Sequence, residues 1–173
     1  GILFKTAASL ESAGRVEIVA LDKTGTITQG EPEVTDLLPA PGVTEDELLR
    51  LANALEQRSE HPLARAVVRR AAGMDAPEVT NFRALAELDG QKLAGGSLAF
   101  AQSLVSIPQE MQDRAVRLAE QGKTPLFFCR SGKLLGVIAV ADVIKPDSSQ
   151  AVRELQGMGI RVVMLTGDNE RTA

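Results

Sequence analysis

The chain has 173 residues, 44% of them hydrophobic, and a formal net charge of -4 at pH 7. That is enough apolar material for a packed core in one large domain or two small ones, which excludes a disordered chain. The apolar run Val137-Ile138-Ala139-Val140-Ala141 is far below the roughly 20 residues of a membrane-spanning helix, and the interspersed charges leave no continuous basic surface for nucleic acid.

Taken in chain order, Gly1-Ile2-Leu3-Phe4-Lys5 lacks the basic segment, long apolar core and small-residue cleavage site of a secretory signal, so a cytosolic setting is expected. Residues 16–21 predict a buried strand, and the polar stretch Asp22-Lys23-Thr24-Gly25-Thr26-Ile27-Thr28 follows it directly. Thr44-Glu45-Asp46-Glu47 is a capping box, and Leu48, Leu51, Ala52 and Leu55 then share one face, which predicts a helix over 45–57. Ser59 is expected to cap a second helix with Pro62 in its first turn, ending at Gly73. A third helix is expected over Pro108 to Gln121. The runs 126–130 and 134–140, joined through Ser131-Gly132, predict a hairpin. Ser148 to Gly157 has helical spacing, and the apolar run 160–165 behind it predicts a second buried strand that runs into Thr166-Gly167-Asp168-Asn169.

The first and last stretches thus read as one α/β domain built from residues 1–32 and 141–173, with an α+β module over 33–140 inserted between them. In open α/β sheets, reactive groups gather beyond the carboxyl ends of neighbouring parallel strands. Two polar motifs about 140 residues apart in sequence can therefore meet at one site. Cys129, the one cysteine, lies in an apolar strand and is expected to be an inert packing residue. With no Trp and no Tyr, any nucleobase must be held by aliphatic and polar groups.

Chemistry concentrates at Asp22. A carboxylate at a strand end is rigidly held, and Gly25 with its small hydroxyl neighbours lets backbone amides approach a phosphate. An Asp here also serves as an ordinary turn cap. As a nucleophile toward a phosphoryl group it meets like charge, so cations are needed; Lys23 supplies one and a magnesium ion another. His61, the single histidine, stands in Ser59-Glu60-His61-Pro62-Leu63-Ala64 at a helix start, where an imidazole can stack on or hydrogen-bond a nucleotide.

The stretch Asp22 to Thr28 resembles the phosphorylation motif of heavy-metal-transporting P-type ATPases, whose phosphorylation domain has the haloacid dehalogenase fold. Thr166-Gly167-Asp168-Asn169 resembles that family's second phosphate-binding element, the segment around His61 its nucleotide signature, and Asp142-Val143-Ile144-Lys145-Pro146-Asp147 its hinge, with Val143 where Pro is usual. The resemblance implies a partial haloacid-dehalogenase-like (Rossmann-type) phosphorylation domain with an inserted α+β nucleotide-binding domain. It implies that Asp22 forms an aspartyl-phosphate from ATP, with Lys23 and Thr166 assisting. ATP and its phosphates would be held by Glu56, His61, Thr24, Gly167 and Asp168, and Mg2+ by Asp22 and Thr24. The implied partners are a transported heavy-metal ion, copper(I) before zinc or cadmium, and the actuator and membrane domains of a longer parent at the cytoplasmic face of a membrane.

The family's Gly-x-Gly turn is missing: Phe82-Arg83-Ala84-Leu85-Ala86-Glu87 contains no glycine. Gly95 and Gly96 match a later Gly-Asn turn instead. The family's last acidic magnesium motif and catalytic lysine are expected beyond Ala173. Two other readings stay open: a nucleotide-binding module without turnover, and a phosphatase of the same fold. The latter normally has a second Asp where this chain has Thr24.

Overall fold

The computed structural model describes residues 3, 5–75, 77, 85–88 and 90–165, which fall into two compact units. The chain passes between the units after Gly30 and after Val143.

The first unit takes in the described residues up to Gly30 and those from Ile144 to Leu165. Helix α1 (Ala7–Ala13) starts at Thr6, whose hydroxyl accepts a hydrogen bond from the Ser9 amide at 3.1 Å. Strands β1 (Ile18–Asp22) and β7 (Arg161–Leu165) pair in parallel, from Ile18 opposite Arg161 to Asp22 opposite Leu165. Helix α6 (Ser148–Gly157) precedes β7 and packs on it, giving the helix-to-strand half of a βαβ unit. Both strands were expected to be buried and are not: Ile18 is 49% exposed and Leu165 55%. Among the described residues this sheet has two strands, and α1 contributes no buried residue, so much of its apolar surface stays uncovered.

The second unit, Glu31–Val143, is organised on a five-stranded sheet in the order β2-β6-β5-β4-β3. Its strands are β2 (Thr28–Pro39), β3 (Leu85–Leu88), β4 (Gln91–Gly96), β5 (Thr124–Arg130) and β6 (Lys133–Ile144). The expected hairpin of β5 and β6 is present. Strands β3 and β4 form a hairpin turning at Gly90, whose φ of +74° belongs to a turn and not to a strand. Strand β2 was not expected, since Gly30 and Pro32 interrupt its pattern. It lies at the sheet edge, where a residue without an amide proton breaks no ladder.

Helices α2 (Glu45–Glu56) and α3 (Pro62–Arg70) pack with Leu93, Phe128, Ile138 and Val140 into one cluster. Helices α4 (Leu98–Leu104) and α5 (Gln109–Glu120) pack with Phe127, Cys129 and Val137 into the other. Alternate residues of β5 therefore serve opposite faces, as the period of a strand requires. Cys129 is 3% exposed, and burial pushes its thiol up to about 11, which fits a packing role. Gly136 lies so close to β2 that a Cβ there would sit 2.5 Å from the Leu38 carbonyl oxygen. Lys123 donates to Asp36 at 2.7 Å. Burial pushes the Asp36 carboxyl up, but hydrogen bonds from Lys123 and Thr35 and the Lys123 charge outweigh it and hold the group below the usual range.

Candidate phosphoryl-transfer site

Strand β1 ends at Asp22 in extended conformation, and the side chain is exposed, with no hydrogen bond capping the turn beyond it. The alternative use of Asp22 as a turn cap is therefore not what this structure shows. Residues 23–27 form a tight loop in which Gly25 has φ +77°, a left-handed conformation that a side chain disfavours. Thr28 closes the loop: its hydroxyl donates to the Lys23 carbonyl at 3.1 Å and accepts from the Gly25 amide at 3.2 Å. At 1% exposure, Thr28 is a buried latch.

The opposite side of this loop is held from the segment that follows β6. The Lys145 ammonium donates to the Gly25 carbonyl at 2.8 Å, the Lys145 amide donates to the Ile27 carbonyl at 3.0 Å, and the Ser148 hydroxyl reaches that same carbonyl at 2.7 Å. Lys145 thus has a structural task besides its place in the expected hinge. Ser148 was not singled out by sequence; its position as the first residue of α6 made it look like an ordinary helix start. Its 7% exposure and its bond to a carbonyl 121 residues away reveal the role.

The register of β1 and β7 sets Asp22 beside Leu165, so the segments continuing from both strands begin at the same end of the sheet. Thr166, Gly167 and Asp168, expected to assist there, lie outside the described residues, as do Phe82, Arg83 and Ala84. Lys23 is half-buried and Thr24 exposed.

In the second unit, the cap of α3 is His61 and not Ser59 as expected. Its Nδ1 accepts from the Leu63 amide at 3.3 Å, while Ser59 Oγ accepts from the His61 amide at 3.4 Å. The imidazole wins because it stands one residue before Pro62, at the true N-cap. With Nδ1 accepting, the neutral ring carries its proton on Nε2, which is then a donor toward solvent or ligand. Glu56 closes α2 and is half-buried; burial pushes its carboxyl above the usual range, and the nearby His61 offsets part of that. A groove of 410 Å³ opens beside the α2–α3 connection, lined by Arg58, Ser59, Glu60, Arg65 and Arg69 among others. Gly95 has a packing reason of its own: a Cβ there would lie 2.8 Å from both Leu55 and Phe128.

A loop poised at the end of a parallel strand, in an α/β unit joined to an α+β unit, is the layout expected of haloacid dehalogenase-like proteins. Residues 16–173 match the haloacid dehalogenase-like hydrolase family, and the chain belongs to it. Over its whole length it is 41% identical to a copper-transporting P-type ATPase of Rhizobium leguminosarum bv. viciae and 43% identical to a probable copper-exporting P-type ATPase of Archaeoglobus fulgidus. It spans 22% of the length of each. A zinc-transporting PIB-type ATPase solved in its E2.Pi state matches with a TM-score of 0.88 at 38% identity, covering 98% of this chain and 29% of that one. The haloacid dehalogenase fold expected from the sequence is thus borne out, and the likeness to copper- and zinc-transporting P-type ATPases extends along nearly the whole of this chain.

Proposed function

We propose that this chain is the phosphoryl-accepting and ATP-binding region of a heavy-metal-transporting P-type ATPase, and that Asp22 becomes the aspartyl-phosphate. The register that sets Asp22 beside Leu165 carries this reading, because an exposed carboxylate then stands at the sheet end from which the Thr166-Gly167-Asp168 segment also departs. An Asp22 oxygen attacks the γ-phosphorus of ATP, the bond from that phosphorus to the bridging oxygen breaks, and ADP leaves with the electron pair. Lys23 offsets the negative charge, and Thr166 donates to a phosphoryl oxygen.

Glu56 and His61 would hold the nucleotide in Glu31–Val143, which serves as the nucleotide-binding domain, and the arginines of the adjoining groove suit the polyphosphate. The donors at Asp22 and Thr24 are oxygens only, and the described residues contain no cluster of three or more metal-ligating side chains. That pattern fits Mg2+, which takes one or two carboxylates together with phosphate oxygens. Asp22 and Thr24 would hold such an ion, which would supply positive charge against the negative charge of carboxylate and phosphate.

Thr24, where a phosphatase of this fold has its acid/base Asp, favours a lasting phosphoenzyme over rapid hydrolysis. The partners in this reading are the actuator and membrane domains of a longer protein, with this region at the cytoplasmic face. No helix among the described residues is long and apolar enough to cross a membrane. Copper(I) is the ion put first, because both curated relatives above carry copper in their names. ATP hydrolysis by the intact protein, measured with each metal, tests this: stimulation by copper(I) is expected, zinc acting alone would remove copper, and no response to any heavy metal would remove transport.

A further inference from the structure

The loop after Asp22 is closed on itself: the Thr28 amide and hydroxyl both donate to the Lys23 carbonyl, and the hydroxyl accepts from the Gly25 amide. A loop closed in this way moves largely as one piece, so the placing of Lys23 and of the loop amides beside Asp22 depends on what grips the loop from outside. Two of its carbonyls are gripped, those of Gly25 and Ile27. Lys145 reaches Gly25 through a long, half-buried side chain with many rotamers to give up. Ser148 reaches Ile27 through a short side chain, on a residue only 7% exposed.

Two features set the Ser148 bond apart from ordinary helix capping. A serine at a helix start commonly turns its hydroxyl back onto the amides of its own helix. Here α6 receives no side-chain cap from Asp147, yet the Ser148 hydroxyl is directed at 2.7 Å to a carbonyl 121 residues earlier. The Ile27 carbonyl, moreover, is already satisfied, because the Lys145 amide donates to it at 3.0 Å. Loss of the hydroxyl would leave no buried acceptor orphaned. What the second donor adds is direction: an oxygen held by two donors is fixed along two lines.

We infer that Ser148 is a positioning residue for phosphoryl transfer, acting through Ile27 to fix the closed loop after Asp22 against the start of α6. This rests on the assignment of Asp22 as the phosphoryl acceptor. Helix α6 packs on β7, whose last residue, Leu165, stands beside Asp22. The hydroxyl therefore ties the loop to the helix that supports the neighbouring strand. Carboxylate, loop and the end of β7 then keep one mutual spacing, which matters because a small misplacement of reacting groups slows transfer far more than it weakens binding.

Rapid-quench phosphorylation of the intact protein by γ-labelled ATP tests this, comparing wild type, Ser148→Ala and Ser148→Thr, with Asp22→Asn as the control for the acceptor itself. Label on a folded Asp22→Asn variant overturns the acceptor assignment and this inference with it; absence of label there keeps the assignment whatever the Ser148 variants do. Provided it stands, Ser148→Ala is expected to slow phosphorylation at saturating ATP by roughly tenfold or more, with the half-saturating ATP concentration unchanged. Its urea midpoint should stay close to that of wild type, because the Ile27 carbonyl keeps the Lys145 amide and alanine favours the helix. Ser148→Thr, which retains the hydroxyl, should recover most of the rate; should its extra methyl group lower the urea midpoint, the split between rate and half-saturation in Ser148→Ala decides alone. A wild-type rate in Ser148→Ala, a slowing matched by a lowered urea midpoint, or a stable Ser148→Thr variant as slow as Ser148→Ala overturns the inference.

Discussion

Asp22 and Leu165 occupy one register position on adjacent parallel strands, although they stand 143 residues apart in the chain. This pairing converts two distant sequence motifs into candidates for one site. It also accounts for the heavy anchoring of the loop after Asp22: an exposed carboxylate at a sheet end has little packing to hold it and depends on the bonds of the loop beside it.

That anchoring predicts the first outcome. Gly25→Ala puts a side chain at φ +77°, at a cost of about 1–2 kcal/mol. Thr28→Val removes both hydroxyl bonds at a buried position, costing about 1–3 kcal/mol. Urea unfolding should show both losses, and the proposed phosphorylation of Asp22 in the intact protein should slow further than stability alone accounts for.

Glu56 predicts a pH dependence of defined sign. Burial raises its carboxyl pKa in the folded chain above the unfolded value of 4.5. The folded state then holds a proton that the unfolded state has released, so this group's contribution to stability declines as pH rises from about 4.5 through the folded value and is constant above it. Glu56→Gln should therefore melt at a higher temperature than wild type at pH 7, with the difference shrinking toward pH 4. Melting curves across that range check it.

Gly136→Ala should be among the most damaging single changes, because its new methyl group would overlap the Leu38 carbonyl on β2. A loss above about 3 kcal/mol is expected in chemical unfolding, since backbone must move to relieve the clash.

Cys129 should resist thiol reagents at pH 8 in the folded chain and react promptly in denaturant. Burial both hides the thiol and pushes its pKa to about 11, leaving little thiolate to react. Following the reaction by mass spectrometry distinguishes the two states.

The legible parts were those with a local signal. Helix α2 carries its capping box and apolar stripe in consecutive residues, the β5–β6 hairpin has its turn dipeptide, and Asp22 to Thr28 is a long and specific motif. The obscured parts depend on residues far away in sequence. Strand β2 is a strand because β6 pairs with it, which outweighs Gly30 and Pro32. Ser148 is ordinary until its bond to Ile27 is seen, and Asn53, in the middle of a helix, reads as a surface position until burial shows otherwise. His61 was singled out as a nucleotide ligand, yet its capping of α3 went unnoticed because Ser59, two residues earlier, is the commoner cap type.

The most direct measurement is covalent trapping on the intact protein. After brief exposure to γ-labelled ATP with Mg2+ and an acid quench, label should remain on the wild-type protein, be released by hydroxylamine as an acyl phosphate is, and be absent from Asp22→Asn. Label retained by a folded Asp22→Asn variant, or label that hydroxylamine leaves in place, would contradict the account.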